Sequence, residues 1–365
     1  MKINQHIESV VDAVKNSILS LSDIEIDNYN NEGCNGYVFF GNHKVFRSRV
    51  AIKYYYYGES AHEEVSLIKH ISNPNILKVW DAHTIEDGWA YFITDEQSNG
   101  NIDSLLSDSE IDTNTALHII RGVLGGVGAL HAAPNFLLHR DLKPANILLD
   151  KSNSPIIADF GSIKRMPENS SEVVASQHSA LYRPPESYQG GIYYYTSDIY
   201  QIGILLYQLL GGDLPYNATC YMTKKQLKEY LTIDDRCEQS LFEDNCLFEK
   251  ARRESLLNYS SLPQYIDQRI IQIIKKATKA QPSERFHNIA DFQLALHRIG
   301  SIPNWSRQGD ILLCGIQNES YRIVRNRTTK YIVEKANSND RWSKLRNSSA
   351  FDNEITAIKH LLKCI

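Results

Sequence analysis

His139-Arg140-Asp141-Leu142-Lys143-Pro144-Ala145-Asn146-Ile147-Leu148 is the stretch that decides this chain, and Asp159-Phe160-Gly161 follows it, thirteen residues after Asn146. A lone carboxylate has many bland explanations. Two compact strings of chemically demanding residues, in one order and at one distance, have few. Working outward, Asn31-Glu32-Gly33-Cys34-Asn35-Gly36-Tyr37-Val38 and Val50-Ala51-Ile52-Lys53 lie upstream. Tyr182-Arg183-Pro184-Pro185-Glu186, Ser197-Asp198-Ile199-Tyr200 and Gln281-Pro282-Ser283-Glu284-Arg285-Phe286 lie downstream.

The first two strings match the catalytic and metal-binding loops of protein kinases letter for letter. From about Tyr29 to about Ile299 the chain therefore resembles a eukaryotic-type (Hanks-type) serine/threonine protein kinase. The resemblance implies an α+β, bilobal fold. A β-rich small lobe with its hinge takes residues 24–97, a mainly helical large lobe takes 98–300, and a small C-terminal α+β domain takes 301–365.

The same resemblance assigns roles. Asp141 is expected to accept the substrate hydroxyl proton, Lys143 to reach the γ-phosphate, and Asn146 and Asp159 to hold Mg²⁺ as hard oxygen ligands. Lys53 is expected to hold the α- and β-phosphates of ATP, with Glu64 as its carboxylate partner. Glu64, found by counting back from Asn73-Pro74-Asn75-Ile76, follows Lys53 by eleven positions, closer than the family usually shows. In the glycine-rich loop Asn31 replaces the first glycine, and Gly33 and Gly36 let backbone amides close over phosphates. Val38, Ala51 and Leu148 are expected around the adenine. Thr94 takes the gatekeeper position, and the backbone of Asp95 and Gln97 the hinge. Lys143 after Leu142 is the serine/threonine form of the loop.

Other residues are expected to be structural. Glu186 should pair with Arg285 as a buried bidentate ion pair, and Asp198 should anchor the catalytic loop from a helix with Ser197 as its N-cap. The activation segment carries Ser162, Ser170, Ser171, Ser176 and Ser179. Ser176 and then Ser171 are the expected phosphosites, with Arg140 as the phosphate's partner. Ser179 stands where the family contacts the catalytic aspartate and lysine.

Bulk properties agree with a folded enzyme. Of 365 residues, 42% are hydrophobic and 22% charged, which excludes wholesale disorder. The longest apolar stretch, Ile199 to Leu210, is too short for a membrane span. Residues 1–23 carry Ile7, Val10, Val11, Val14, Ile18 and Leu21 at helical spacing, which predicts an amphipathic helix packed on the chain's own body. That helix is also a candidate for setting the position of the Glu64 helix. Six scattered cysteines make neither a zinc arrangement nor a disulfide framework, and reduced thiols in the cytoplasm are expected.

Residues 301–365 hold eleven Lys/Arg against six Asp/Glu, a balance of +5, while the other 300 residues hold 28 against 37, or −9. This tail predicts three short strands (311–316, 321–324, 330–333) and a helix over 353–363, loosely resembling double-stranded-RNA-binding modules. A protein or nucleic-acid partner, or packing on the kinase lobe, are the open readings. Residues 216–262 read as solvated helices acting as a spacer. The leading functional expectation is an ATP- and Mg²⁺-dependent kinase of protein Ser/Thr hydroxyls that phosphorylates its own activation segment. The alternatives are a pseudokinase scaffold and a phosphotransferase with a non-protein acceptor.

Overall fold

The computed structural model describes residues 10–30, 36–57, 63–108, 110–175, 179–346 and 348–365, without the side chains of 63, 64 and 108. Gly33 and Ser176 lie outside the described residues, as does the side chain of Glu64.

The small lobe is an antiparallel sheet of β1 (Ile24–Asn30), β2 (Gly36–His43), β3 (Ser48–Tyr56), β4 (Val79–Thr84) and β5 (Trp89–Asp95). Its strand order is β1-β2-β3-β5-β4. Side chains alternate along a strand, so β3 sends Val50, Ile52 and Tyr54 to one face and Ala51 and Lys53 to the other. The first face is buried under helix α1 (Asp12–Ser20), whose Val14 and Ile18, with Val10 just before it, pack on Phe39, Val50, Ile52, Tyr54, Tyr91 and Ile93. Ser17 Oγ meets Tyr54 Oη at 2.9 Å, which satisfies both hydroxyls under that cover. Of the stretch 1–23 expected to be an amphipathic helix, Asp12–Ser20 is helical and docked on the chain, while residues 1–9 lie outside the described residues. The helix does not set the position of α2 (Glu63–Ile68): Ile68, Val65 and Leu67 belong to the large core beneath the sheet, not to the cluster under α1.

The large lobe contains α3 (Ile102–Asp108), α4 (Thr113–His131), β6 (Leu137–Leu138), β7 (Ile147–Leu149), β8 (Pro155–Ile157), β9 (Lys164–Arg165), β10 (Val173–Val174), α5 (Pro185–Gln189), β11 (Ile192–Tyr193), α6 (Tyr195–Leu209), α7 (Lys224–Tyr230), α8 (Arg236–Arg252), α9 (Gln268–Ala277) and α10 (Ile289–Arg298). Helix α4 starts at Asp112, whose carboxylate accepts from the amides of Asn114 and Thr115 at 3.1 Å. Its glycines carry a helix-propensity cost of about 1 kcal/mol each. They are needed for close approach: a Cβ at Gly126 would lie 2.6 Å from Ile157 Cδ1 and 2.8 Å from the Asn75 carbonyl. The Asn73–Asn75 turn can therefore pack directly on the large lobe, and the Asn75 carbonyl accepts from Ile157 N at 2.8 Å.

Every residue of α6 from Ser197 to Leu209 is buried. A helix enclosed on all sides is a fixed post, and the catalytic loop hangs from it. Ser197 is the third residue of α6 rather than its N-cap; from there its hydroxyl accepts from Tyr194 N at 2.9 Å. The stretch expected to be a spacer is anchored as well. Cys246, Leu247 and Ala251 of α8 are buried, and Asp244 holds Arg183 at 3.0 Å.

The tail has five strands, not three: β12 (Asn304–Gln308), β13 (Ile311–Ile316), β14 (Glu319–Arg325), β15 (Tyr331–Ala336) and β16 (Trp342–Lys344), paired in sequence order. Helix α11 (Glu354–Cys364) lays Ala357, Ile358 and Leu361 on Leu312, Cys314, Ile323 and Val333. The two strands that the sequence hid are the edges, where one face never becomes fully apolar. Among the described residues no helix is long and apolar enough to cross a membrane.

Candidate active site

Strand β3 carries Lys53 to the inner face of the sheet, opposite Val38 on β2 and Phe92 on β5. Ala51 shares that face. Gly36 opens β2 where a Cβ would sit 1.9 Å from the Tyr54 carbonyl, so glycine is required there by the neighbouring strand itself. Leu148 on β7 forms an isolated bridge with Asn101. At the hinge, Thr94 is buried with its hydroxyl donated to the Lys78 carbonyl at 2.8 Å. The Asp95 carbonyl accepts from Gln97 Nε2 at 3.3 Å.

Lys53 Nζ lies 2.6 Å from Asp159 Oδ1. Burial pushes the Asp159 carboxyl up, but the charge and hydrogen bond of Lys53, helped by His139 and Lys143, hold it below the ordinary aspartate value. Asp159 has φ 57°, Arg140 φ 67° and Ser179 φ 54°. Three non-glycine residues in the left-handed region within one site are held there by their surroundings, as strain at working sites generally is.

Asp141 is buried. Its Oδ2 accepts from Asn146 Nδ2 at 3.0 Å and meets Lys143 Nζ at 3.0 Å, while Asn146 Nδ2 also donates to the Asp141 carbonyl at 2.8 Å. Its Oδ1 is buried and has no hydrogen-bond partner among the described residues. A carboxylate oxygen left bare at a buried site lacks a donor, and a substrate hydroxyl would supply one. Lys143 Nζ donates to Ser179 Oγ at 2.7 Å, so Asp141, Lys143 and Ser179 form one connected group.

The donor set suits Mg²⁺. With its amide nitrogen committed to Asp141, Asn146 keeps Oδ1 available, and Asp159 keeps Oδ2 available beyond Lys53. Among the described residues no group of three or more His, Cys, Asp or Glu could hold a metal by itself.

Asp198, fully buried on α6, accepts from the amides of His139 and Arg140 at 2.9 Å each and faces His131 Nε2 at 2.8 Å. Burial pushes its carboxyl up, yet the His131 hydrogen bond and charge, with His139, hold it below the ordinary value. Gln201, one turn on, accepts from Leu142 N at 2.9 Å. The amides of His139, Arg140 and Leu142 are thus all fastened to one helix. Glu186 and Arg285 form the expected bidentate pair at 2.8 and 2.7 Å, both buried, and Ser197 Oγ donates to the same carboxylate at 2.6 Å. His131, Gln201 and the Arg183–Asp244 pair escaped the sequence reading, because nothing local marks a residue whose partner is roughly sixty positions away.

Arg140 departs from expectation. Its Nε donates to the Ser162 carbonyl at 2.5 Å and its Nη1 to the Val174 carbonyl, so two donors expected for a phosphate hold the activation segment's backbone. The segment is further held by β10 pairing with β11 and by Arg183, which covers the Tyr188 ring at 3.9 Å.

The sequence model of the family described as "Protein kinase domain" matches residues 32–294. The chain belongs to the protein kinase family. It is 26% identical over 353 residues to a probable serine/threonine-protein kinase MARK-C of Dictyostelium discoideum, covering 89% of this chain and 44% of that one. It is 34% identical over 173 residues to the dual specificity protein kinase shkB of the same organism, covering 46% and 26%. With the serine/threonine-protein kinase PrkC of Bacillus subtilis it shares 30% over 161 residues, covering 42% and 24%. The aligned stretches span less than half the length of each of these relatives.

Proposed function

We propose that this chain transfers the γ-phosphoryl group of ATP to serine and threonine hydroxyls of proteins. The observation that carries this reading is the bare, buried Oδ1 of Asp141 beside Lys143, whose charge also acts on Asp159 of the Lys53–Asp159 pair. Phosphoryl transfer needs positioning and charge neutralisation more than covalent help. Lys53 would bind and orient the α- and β-phosphates, beside Asp159 as a would-be metal ligand. Asp141 Oδ1 accepts the hydrogen bond of the incoming hydroxyl and takes its proton as the new P–O bond forms and the bond from the γ-phosphorus to the departing ADP breaks. Lys143 neutralises the transferred group, and Ser179 keeps Lys143 in place. Asn146 and Asp159 would hold Mg²⁺, which would supply charge neutralisation at the phosphate oxygens.

Serine and threonine acceptors are supported by Lys143 in the loop and by the names of two of the relatives. The Glu186–Arg285 pair and Asp198 support a protein acceptor, since they build the large-lobe platform rather than the nucleotide pocket. The test is labelled ATP with Mg²⁺, comparing the native chain with Asp141→Asn and analysing phosphoamino acids. Label on serine or threonine of itself and of a generic protein, reduced about 10²–10⁴-fold in the variant, is the expected result. Nucleotide binding with no label at all would make the chain a scaffold, and label only on a non-protein acceptor would move it to another class.

A further inference from the structure

We propose that the free edge of the tail sheet, strand β16 with its neighbours Arg341 and Arg346, receives an acidic, extended segment of a partner protein as an added strand. The sheet has two edges, β12 and β16. The first is closed by the catalytic body: Asn114 N donates to Asn304 Oδ1 at 2.9 Å, and Thr113 Oγ1 approaches the Trp305 carbonyl at 3.5 Å. Helix α11 covers one face. Among the described residues no strand pairs with the outer edge of β16.

The ladder determines which backbone groups point outward. Asn337 N donates to the Arg341 carbonyl at 3.0 Å and Leu345 N to the Val333 carbonyl at 2.8 Å, with Ser343 opposite Lys335 between them. Arg341, Ser343 and Leu345 therefore turn their peptide groups toward β15. In an antiparallel ladder the alternate residues turn theirs away, so the N–H and C=O of Trp342 and Lys344 face the open edge. An unpaired row of this kind is a template for another strand.

Charge selects the strand. Glu319, Glu334, Asp352 and Glu354 are paired with Lys335, Arg322, Lys330 and Arg307 inside the domain. Arg341, Lys344 and Arg346 are exposed, and none of them forms an ion pair among the described residues. A nucleic acid is the less favoured occupant. Arg322 lies 4.5 Å over the Trp342 ring and is pinned at 2.6 Å by Glu334, so that aromatic face is already covered where a base would stack. Main-chain groups and three cations remain, and these suit an acidic peptide in β conformation. The competing view is that basic residues on an edge simply deter aggregation, in which case no strand binds.

The test is fluorescence anisotropy of the full chain with a labelled peptide alternating glutamate and valine. The controls are the same peptide N-methylated at every residue, its lysine–valine counterpart, and a single-stranded RNA. Expected is saturable binding of the acidic peptide that weakens about tenfold or more in Lys344→Glu/Arg346→Glu and at high salt. The N-methylated peptide should bind at least about tenfold more weakly, because it cannot complete the ladder. Lys344→Pro, which removes one outward N–H while sparing the pairing of Ser343 and Leu345, should weaken binding too. Protein phosphorylation should stay at the native level in both variants, showing that the catalytic body is folded. No binding, equal binding of the N-methylated peptide, or preference for RNA would each overturn the proposal.

Discussion

Trp305 and Tyr265 stack with ring centroids 5.1 Å apart and planes 19° from parallel, joining the tail domain to the large lobe. Trp305 is only 1% exposed, so one indole serves both the tail's core and the junction. Trp305→Ala is expected to cost about 3–5 kcal/mol of tail stability. Limited proteolysis should show cleavage after Gly300 appearing in the variant, while phosphoryl transfer by the catalytic body stays within about threefold of native.

Arg285 is enclosed with Glu186, and removing one member leaves the other buried without a counter-charge. Arg285→Ala should lower stability by about 3–5 kcal/mol. Urea unfolding followed by fluorescence would measure it. An unchanged midpoint would mean that the pair contributes no net stability.

The pH dependence follows from Asp198. Its folded-state pKa is depressed, so its stabilisation is fully present above the unfolded value of about 3.9 and is lost as pH falls through the still lower folded value. Native stability should therefore fall steeply below about pH 4. Asp198→Asn should be clearly less stable than native at neutral pH, with the gap narrowing on acidification. Urea midpoints of both proteins across that range provide the comparison, and a gap that widened in acid would reverse the sign argued here.

Val14 is fully buried between α1 and the sheet. Val14→Ala should cost about 2 kcal/mol through lost burial and a residual cavity. Hydrogen exchange should locate the loss in β1, β2 and β3. Since Lys53 points to the opposite face, turnover at saturating ATP should change little at low temperature.

Arg140 already donates to the backbone of the activation segment. The double substitution Ser171→Ala/Ser176→Ala is accordingly expected to retain activity within about threefold of native, as a phosphate-awaiting arginine would not allow. Initial rates on a generic protein substrate after phosphatase treatment test this directly. A loss of about a hundredfold or more would restore the phosphate-dependent reading made from the sequence alone.

What was legible in the sequence was whatever chemistry demands at short spacing. Asp141, Lys143 and Asn146 share one loop, Asp159 follows closely, and Glu186 and Arg285 each sit inside a short diagnostic string. The tail's central strands and last helix, and the apolar stripe of α1, were also readable, because each shows its own periodicity. The edges β12 and β16 were not, since Asn304-Trp305-Ser306-Arg307-Gln308 and Trp342-Ser343-Lys344 are strands only by virtue of what they pair with. Only the tertiary structure decided that α1 caps the outer sheet rather than steering α2. It likewise decided that His131 and Gln201 hold the catalytic loop, that Arg140 holds backbone, and that Tyr265 receives Trp305. Local pattern reports which face of an element is apolar, whereas the partner of that face depends on chain closure over many residues, which no short window of sequence contains.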